Sequence, residues 1–184
     1  IAVSGNLCYY NREQDRIETA DYLYDWTWTG RCYTIKEPED GKVIFSSPEE
    51  LGFLSLDNGD LERLELKEPG SLIRDIAKDK YNNLWIAYDD AGLIRIDPDR
   101  KKQQYFSPEF SGLSNNKVYS LLIQNDHLWV GTNSGLNKFD ILKNRVSEQF
   151  FEEDGLSNNI IYSLYADNNN NIWISTNKGI SFFN

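Results

Sequence analysis

Three features of the 184-residue sequence predict an all-β fold of four-stranded blades stacked about an axis, a β-propeller segment. Short runs rich in Val, Ile, Tyr, Phe and Trp alternate with Asn, Asp and Gly, the pattern of strands punctuated by hairpins. A motif recurs with its tryptophans 44 residues apart, at Trp85, Trp129 and Trp173. No apolar stripe at helical spacing runs to a useful length. Four strands per unit at a period of roughly 40 to 45 residues is the signature of a propeller blade.

Along the chain, residues 1–24 read as the trailing strands of a preceding blade. The polar stretch 13–21 reads as a loop or a short helical turn. A faint blade follows at 25–69, with Phe45 aligned in the tryptophan place, 40 residues before Trp85. The next spans 70–111, where Leu84-Trp85-Ile86-Ala87 precedes Gly92-Leu93-Ile94-Arg95-Ile96-Asp97. In the blade at 112–154, strands are expected at 117–124, 128–132, 136–140 and 146–151. Residues 155–184 supply a partial blade, its first three strands.

The turns have mechanisms. Asn125-Asp126 and the Asn-rich run 167–171 tolerate positive φ. Asn133-Ser134-Gly135 suits a three-residue hairpin with the glycine left-handed. Gly92, Gly135 and Gly179 recur in step with Trp85, Trp129 and Trp173, so all six are read as structural, the indoles filling the space between blades. The two end pieces duplicate middle strands instead of complementing each other, which disfavours a closed four-bladed ring. About four blades of a larger ring are expected, with two apolar blade faces left open. A seven-bladed ring would take roughly 300 residues at this period.

Composition narrows the function. Lys plus Arg is 19 and Asp plus Glu is 29, a net charge of −10, which repels nucleic acid and suits neutral or cationic ligands. No apolar run approaches the roughly 20 residues of a membrane span. With 40% hydrophobic and 14% aromatic residues the chain can drive its own ordering. It contains no Met and no signal peptide, so a mature piece or a fragment of something longer is expected.

The repeated residues resemble a known family. Gly112-Leu113-Ser114-Asn115-Asn116 returns as Gly155-Leu156-Ser157-Asn158-Asn159, and Val118-Tyr119-Ser120-Leu121 as Ile161-Tyr162-Ser163-Leu164. Leu128-Trp129-Val130-Gly131-Thr132-Asn133-Ser134-Gly135-Leu136 returns as Ile172-Trp173-Ile174-Ser175-Thr176-Asn177-Lys178-Gly179-Ile180. This pattern resembles the two-component regulator propeller repeat. It is partial at 70–97, where Thr-Asn becomes Tyr88-Asp89, and faint before residue 60. The resemblance implies a periplasmic sensor region of a hybrid two-component protein, the ectodomain of an inner-membrane protein. Its ligand would be a glycan fragment and its output a downstream histidine kinase. Its partners would be further blades and other sensor domains, with a homodimer allowed and neither nucleic acid nor membrane touched by this segment. A propeller enzyme, lyase or glycosidase, and a protein-assembly propeller are the alternatives.

Candidate ligand-binding residues are Tyr24, Trp26, Trp28 and Arg31, which break the repeat, and Asp89, Asp90 and Asn133 in turns between strands. Aromatic rings there could stack on sugar faces. The competing reading makes Trp26 and Trp28 alternating side chains of an inner strand, and Asp89 and Asp90 a solvated turn. No catalytic residue is assigned: His127, the only histidine, sits in a hairpin turn, and no Gly-x-Ser-x-Gly elbow exists. Ser114-x-x-Lys117 is a chance match, since Ile160 replaces the Lys in the next copy. Asp167-x-Asn169-x-Asn171 resembles the start of a calcium loop but has Ile172 at the glycine position. No metal and no cofactor are expected. Cys8 and Cys32 read as buried thiols, although a periplasmic setting would permit a disulfide.

Overall fold

The structure is a computed structural model and describes residues 2–3, 6–19, 32, 34–39, 41–47, 49–67 and 72–184. They fall into two compact units, Ile1–Pro69 and Gly70–Asn184.

The first unit holds two antiparallel sheets among the described residues. One orders β1 (Ala2–Val3), β2 (Asn6–Asn11) and β3 (Arg16–Thr19); the other orders β4 (Thr34–Glu39), β5 (Lys42–Ser46), β6 (Glu50–Ser55) and β7 (Leu61–Glu65). The strand β3 corrects the loop expected at 13–21. Polar residues pair there because the edge strand of a blade is exposed, so it carries no apolar signature; Arg16, Glu18 and Asn11 bridge each other across it. A second correction concerns Phe45. It faces Gly52 across the sheet, whereas the tryptophan register, three residues before the hairpin-closing residue (Ser47 here, Thr132 for Trp129), falls on Ile44 opposite Phe53. The bulky ring is accommodated because Gly52 has no side chain: a Cβ there would lie 2.3 Å from the Phe45 ring. Cys8 and Cys32 are both thiols, and the Cys32 Sγ donates to the Thr34 carbonyl.

The second unit is a stack of three sheets. The first orders β8 (Ile73–Lys78), β9 (Leu84–Tyr88), β10 (Leu93–Ile96) and β11 (Gln103–Phe106). The second orders β12 (Val118–Gln124), β13 (His127–Thr132), β14 (Gly135–Asp140) and β15 (Arg145–Phe150). The third orders β16 (Ile161–Ala166), β17 (Ile172–Thr176) and β18 (Gly179–Phe183). Each strand pairs with its successor in sequence, a meander, and the β12–β15 strands fall within a residue or so of their expected positions. The first strands β8, β12 and β16 lie side by side, so the sheets fan outward from that line as propeller blades do. The hairpin at residue 133 is shorter than expected. Thr132 pairs directly with Gly135, leaving a two-residue turn.

The repeated motif earns its residues. A single-turn helix α1 (Pro108–Ser111) ends at Gly112, whose φ of 78° is the left-handed cap that a side chain would strain. Leu113 is buried, and the Ser114 backbone N–H donates to Asn137 Oδ1. Asn115 Oδ1 then accepts from Lys117 N–H and turns the chain into β12.

Neighbouring blades are joined in three places, twice over. Trp85 packs on Phe106 of its own sheet and edge-on to Phe139 of the next, 5.3 Å between centroids. Trp129 repeats this with Phe150 and with Phe183, again at 5.3 Å. At the turn end, Gly92 N–H donates to the Asn116 carbonyl at 2.8 Å and Gly135 N–H to the Asn159 carbonyl at 2.7 Å. Along the first strands, a β-bulge in β12 turns the Leu121 N–H toward the preceding blade, where Asp75 Oδ2 accepts it at 2.9 Å. The bulge in β16 does the same for Leu164, whose N–H reaches Ser120 Oγ at 3.1 Å.

Candidate functional site

The first strands begin at the end of the blades where the β9–β10, β13–β14 and β17–β18 turns lie. Three residues in equivalent registers, Arg74, Tyr119 and Tyr162, are the second residues of β8, β12 and β16 there. Each is bound to the turn of its own blade. Arg74 Nη2 donates to Asp89 Oδ2 at 2.8 Å, Tyr119 Oη–H to Asn133 Oδ1 at 3.2 Å, and Tyr162 Oη–H to Asn177 Oδ1 at 3.1 Å. Held this way, the side chains form a ribbon across three blades. The Arg74 guanidinium lies 5.5 Å from the Tyr119 ring centroid, and Tyr119 stacks on Tyr162 at 6.1 Å with 28° between planes. Cation–π contact and offset stacking both favour this order.

The ribbon is half-buried at Tyr119 and open to solvent at Arg74 and Tyr162. Partial burial pushes the Tyr119 hydroxyl above its ordinary range, aided by the nearby Asp89 carboxylate. Tyr119 therefore stays a neutral donor at physiological pH. Each asparagine spends its carbonyl on a tyrosine, which leaves its NH2 group to donate outward. The ridge can thus offer ring edges, a cation with its counterion, and amide donors to a polar ligand.

Of the expected site residues, Asp89 and Asn133 belong to this ribbon, and Asp90 lies exposed beside it in the β9–β10 turn. Tyr24, Trp26, Trp28 and Arg31 lie outside the described residues. Arg74, Tyr119 and Tyr162 escaped the sequence reading, yet they left a signal. Where Asn133 and Asn177 become Asp89, the tyrosine also becomes Arg74, so two departures from the repeat compensate each other.

The remaining candidates have other duties. His127 opens β13 opposite Asp140, five residues or about 16 Å along the strand from Thr132 at the ribbon end. Asp167 closes its turn. One carboxylate oxygen accepts the Asn169 and Asn171 N–H groups; the other accepts Asn171 Nδ2 and the Trp173 indole N–H at 3.1 Å. These donors pull its pKa down to about 2 and occupy the oxygens a calcium ion would need. Asp79 holds Asn83 and Trp85 identically. Among the described residues no three His, Cys, Asp or Glu side chains converge as metal ligands.

Residues 112–134 and 155–178 match the model of the two-component regulator propeller family. Both segments are similar to the two-component regulator propeller repeat. Solved structures share the fold. The extracellular domain of the hybrid two-component system BT3049 from B. thetaiotaomicron superposes with a TM-score of 0.70 at 23% identity over 97% of this chain. Virginiamycin B lyase from Staphylococcus aureus gives 0.70 at 15% identity over 98%, and 63% of the lyase is covered. The computationally designed Ika4 protein gives 0.65 at 9% identity over 84%, covering 91% of that design. At these identities the likeness concerns the fold. This chain spans about a quarter of the sensor domain's length (24%). No curated protein sequence matches it. Among the described residues no helix is long and apolar enough to cross a membrane.

Proposed function

We propose that the chain is part of the periplasmic, ligand-sensing propeller of a hybrid two-component sensor. In this reading a glycan fragment binds at the Arg74–Tyr119–Tyr162 ribbon, and the signal passes to a downstream histidine kinase. The carrying observation is the pair of matched repeats in a chain whose fold recurs in extracellular domains of two-component systems. The ribbon supplies what a carbohydrate needs: apolar ring surface, amide and phenol hydrogen-bonding groups, and one guanidinium for an acidic substituent. The net charge of −10 favours neutral fragments. Signalling also requires that the ligand bind one inter-domain arrangement more tightly than another.

Titration calorimetry of the sensor ectodomain against neutral and acidic oligosaccharides tests this. Saturable heat with one class, lost in Tyr119→Ala, supports it. Heat absent from every glycan contradicts it, and capture of a protein partner in place of a sugar would favour an assembly role. The likeness to virginiamycin B lyase supplies the competing reading, an enzyme. A single His→Ala substitution makes that lyase catalytically inactive. The single histidine here, His127, stands at the opposite end of its strand from the ribbon. Release of an unsaturated product or a reducing end from any glycan would favour the enzyme.

A further inference from the structure

The ribbon repeats a second feature besides its rings. In each blade a first-strand residue and a turn residue share one hydrogen bond, 2.8 Å long for Arg74–Asp89, 3.2 Å for Tyr119–Asn133 and 3.1 Å for Tyr162–Asn177. Each bond leaves a donor and an acceptor over. Asn133 and Asn177 keep their Nδ2 amides, and Tyr119 and Tyr162 keep an Oη lone pair. In the first of the three blades Arg74 keeps further N–H groups and Asp89 keeps Oδ1. Every blade thus presents one donor and one acceptor on two side chains that a single hydrogen bond holds side by side.

The roles are exchanged at one end. At Arg74–Asp89 the first-strand residue donates and the turn residue accepts. At the other two pairs the first-strand tyrosine accepts and the turn asparagine donates. A peptide backbone running one way offers its N–H and C=O groups in a fixed order, which fits only one of these arrangements. A hydroxyl both donates and accepts, so two neighbouring hydroxyls on a sugar ring fit either order by rotating their O–H bonds. The pairs are also evenly stepped. The Arg74 guanidinium is 5.5 Å from the Tyr119 ring centroid, and that ring is 6.1 Å from Tyr162. A cellulose-like or xylan-like chain advances by a similar step with each sugar unit.

We propose, resting on the glycan reading above, that the three pairs are consecutive subsites for a single oligosaccharide, one sugar unit per blade. Each subsite reads two neighbouring ring hydroxyls. Arg74 with Asp89, Tyr119 with Asn133 and Tyr162 with Asn177 take one unit each, in that order. The ligand is therefore a chain of at least three units with a free vicinal hydroxyl pair on each, and a monosaccharide fills only a third of the site. The exchange of Tyr-Asn for Arg-Asp keeps a subsite in place because a hydroxyl pair tolerates the reversed order.

Titration calorimetry of the 184-residue chain against cello- and xylo-oligosaccharides of one to four units counts the subsites. Internal units of both series keep a vicinal hydroxyl pair. Laminari-oligosaccharides, whose internal units have none, are the comparison. Two hydrogen bonds gained per unit should tighten binding about tenfold with each unit up to the third, with a smaller rise at the third laminari unit. Arg74→Ala combined with Asp89→Ala should erase one step, so that the trisaccharide binds no better than the disaccharide. Arg74→Tyr combined with Asp89→Asn gives this blade the pair of the other two and should keep every step, which separates loss of a subsite from loss of the fold. Three results overturn the subsites while the glycan reading stands. Binding gains nothing beyond the first unit; or laminari-oligosaccharides gain equally at the third; or the trisaccharide step survives the double alanine change. Heat absent from every series removes the glycan reading as well.

Discussion

Truncating the three register tryptophans should give unequal costs, although the residues are equivalent in sequence. A buried aromatic side chain removes 150–250 Å² from water, worth roughly 4–6 kcal/mol at about 25 cal/mol/Å². Measured Trp→Ala changes in cores fall at about 3–5 kcal/mol once partial collapse of the cavity is included. Trp129 is buried between Phe150 and Phe183 and donates its indole N–H to Gln124, so Trp129→Ala belongs in that range. Trp85, between Phe106 and Phe139, belongs there too. Trp173 is already 42% exposed and its truncation opens to solvent instead of leaving a cavity, so a smaller loss of about 2–3 kcal/mol is expected. Urea unfolding followed by far-ultraviolet circular dichroism measures all three. A Trp173→Ala cost equal to that of Trp129→Ala, or a Trp129→Ala cost below about 1 kcal/mol, would refute the wedge reasoning.

Further outcomes follow from the joints and turns. Ser120→Ala leaves the buried Leu164 N–H without its acceptor and should cost about 1–3 kcal/mol in urea unfolding; Ser163→Ala, open to water, should cost almost nothing. Gly135→Ala places a Cβ 2.7 Å from the Phe151 ring at a φ of 103°, and thermal unfolding should register a loss of about 2 kcal/mol or more. Asp167 titrates lower in the folded chain than when unfolded, so its clamp contributes fully above about pH 4 and is lost as pH falls through about 2. Thermal melts between pH 5 and 2 should show that loss, and Asp167→Asn should flatten it.

The repeat made the second unit legible before any coordinates, because a residue serving every blade recurs with the blade. Trp85, Trp129, the glycines and the Gly-Leu-Ser-Asn-Asn loops all serve joints that are made twice. What escaped was of two kinds. Edge strand β3 is polar on account of its exposure, so hydrophobic patterning passes over it. The ribbon of Arg74, Tyr119 and Tyr162 needs three residues more than forty positions apart to be seen together, and the tyrosines alone look like ordinary strand residues. Phe45 misled because similarity of side chain was taken for identity of register, which only the pairing with Gly52 corrects. Likewise Asp75 and Ser120 differ chemically yet do one job, accepting an N–H freed by the next blade's bulge.

That last relation is where the account of stacked repeats is most exposed. Amide hydrogen exchange at Leu121 and Leu164 tests it directly, since each N–H is satisfied across a blade boundary by a side chain of the preceding sheet. Both amides should exchange as slowly as the neighbouring ladder, and Ser120→Ala should speed Leu164 at least tenfold while leaving Leu121 unchanged. If both exchange as fast as exposed turn amides such as that of Asn168, the blades do not lean on one another as described.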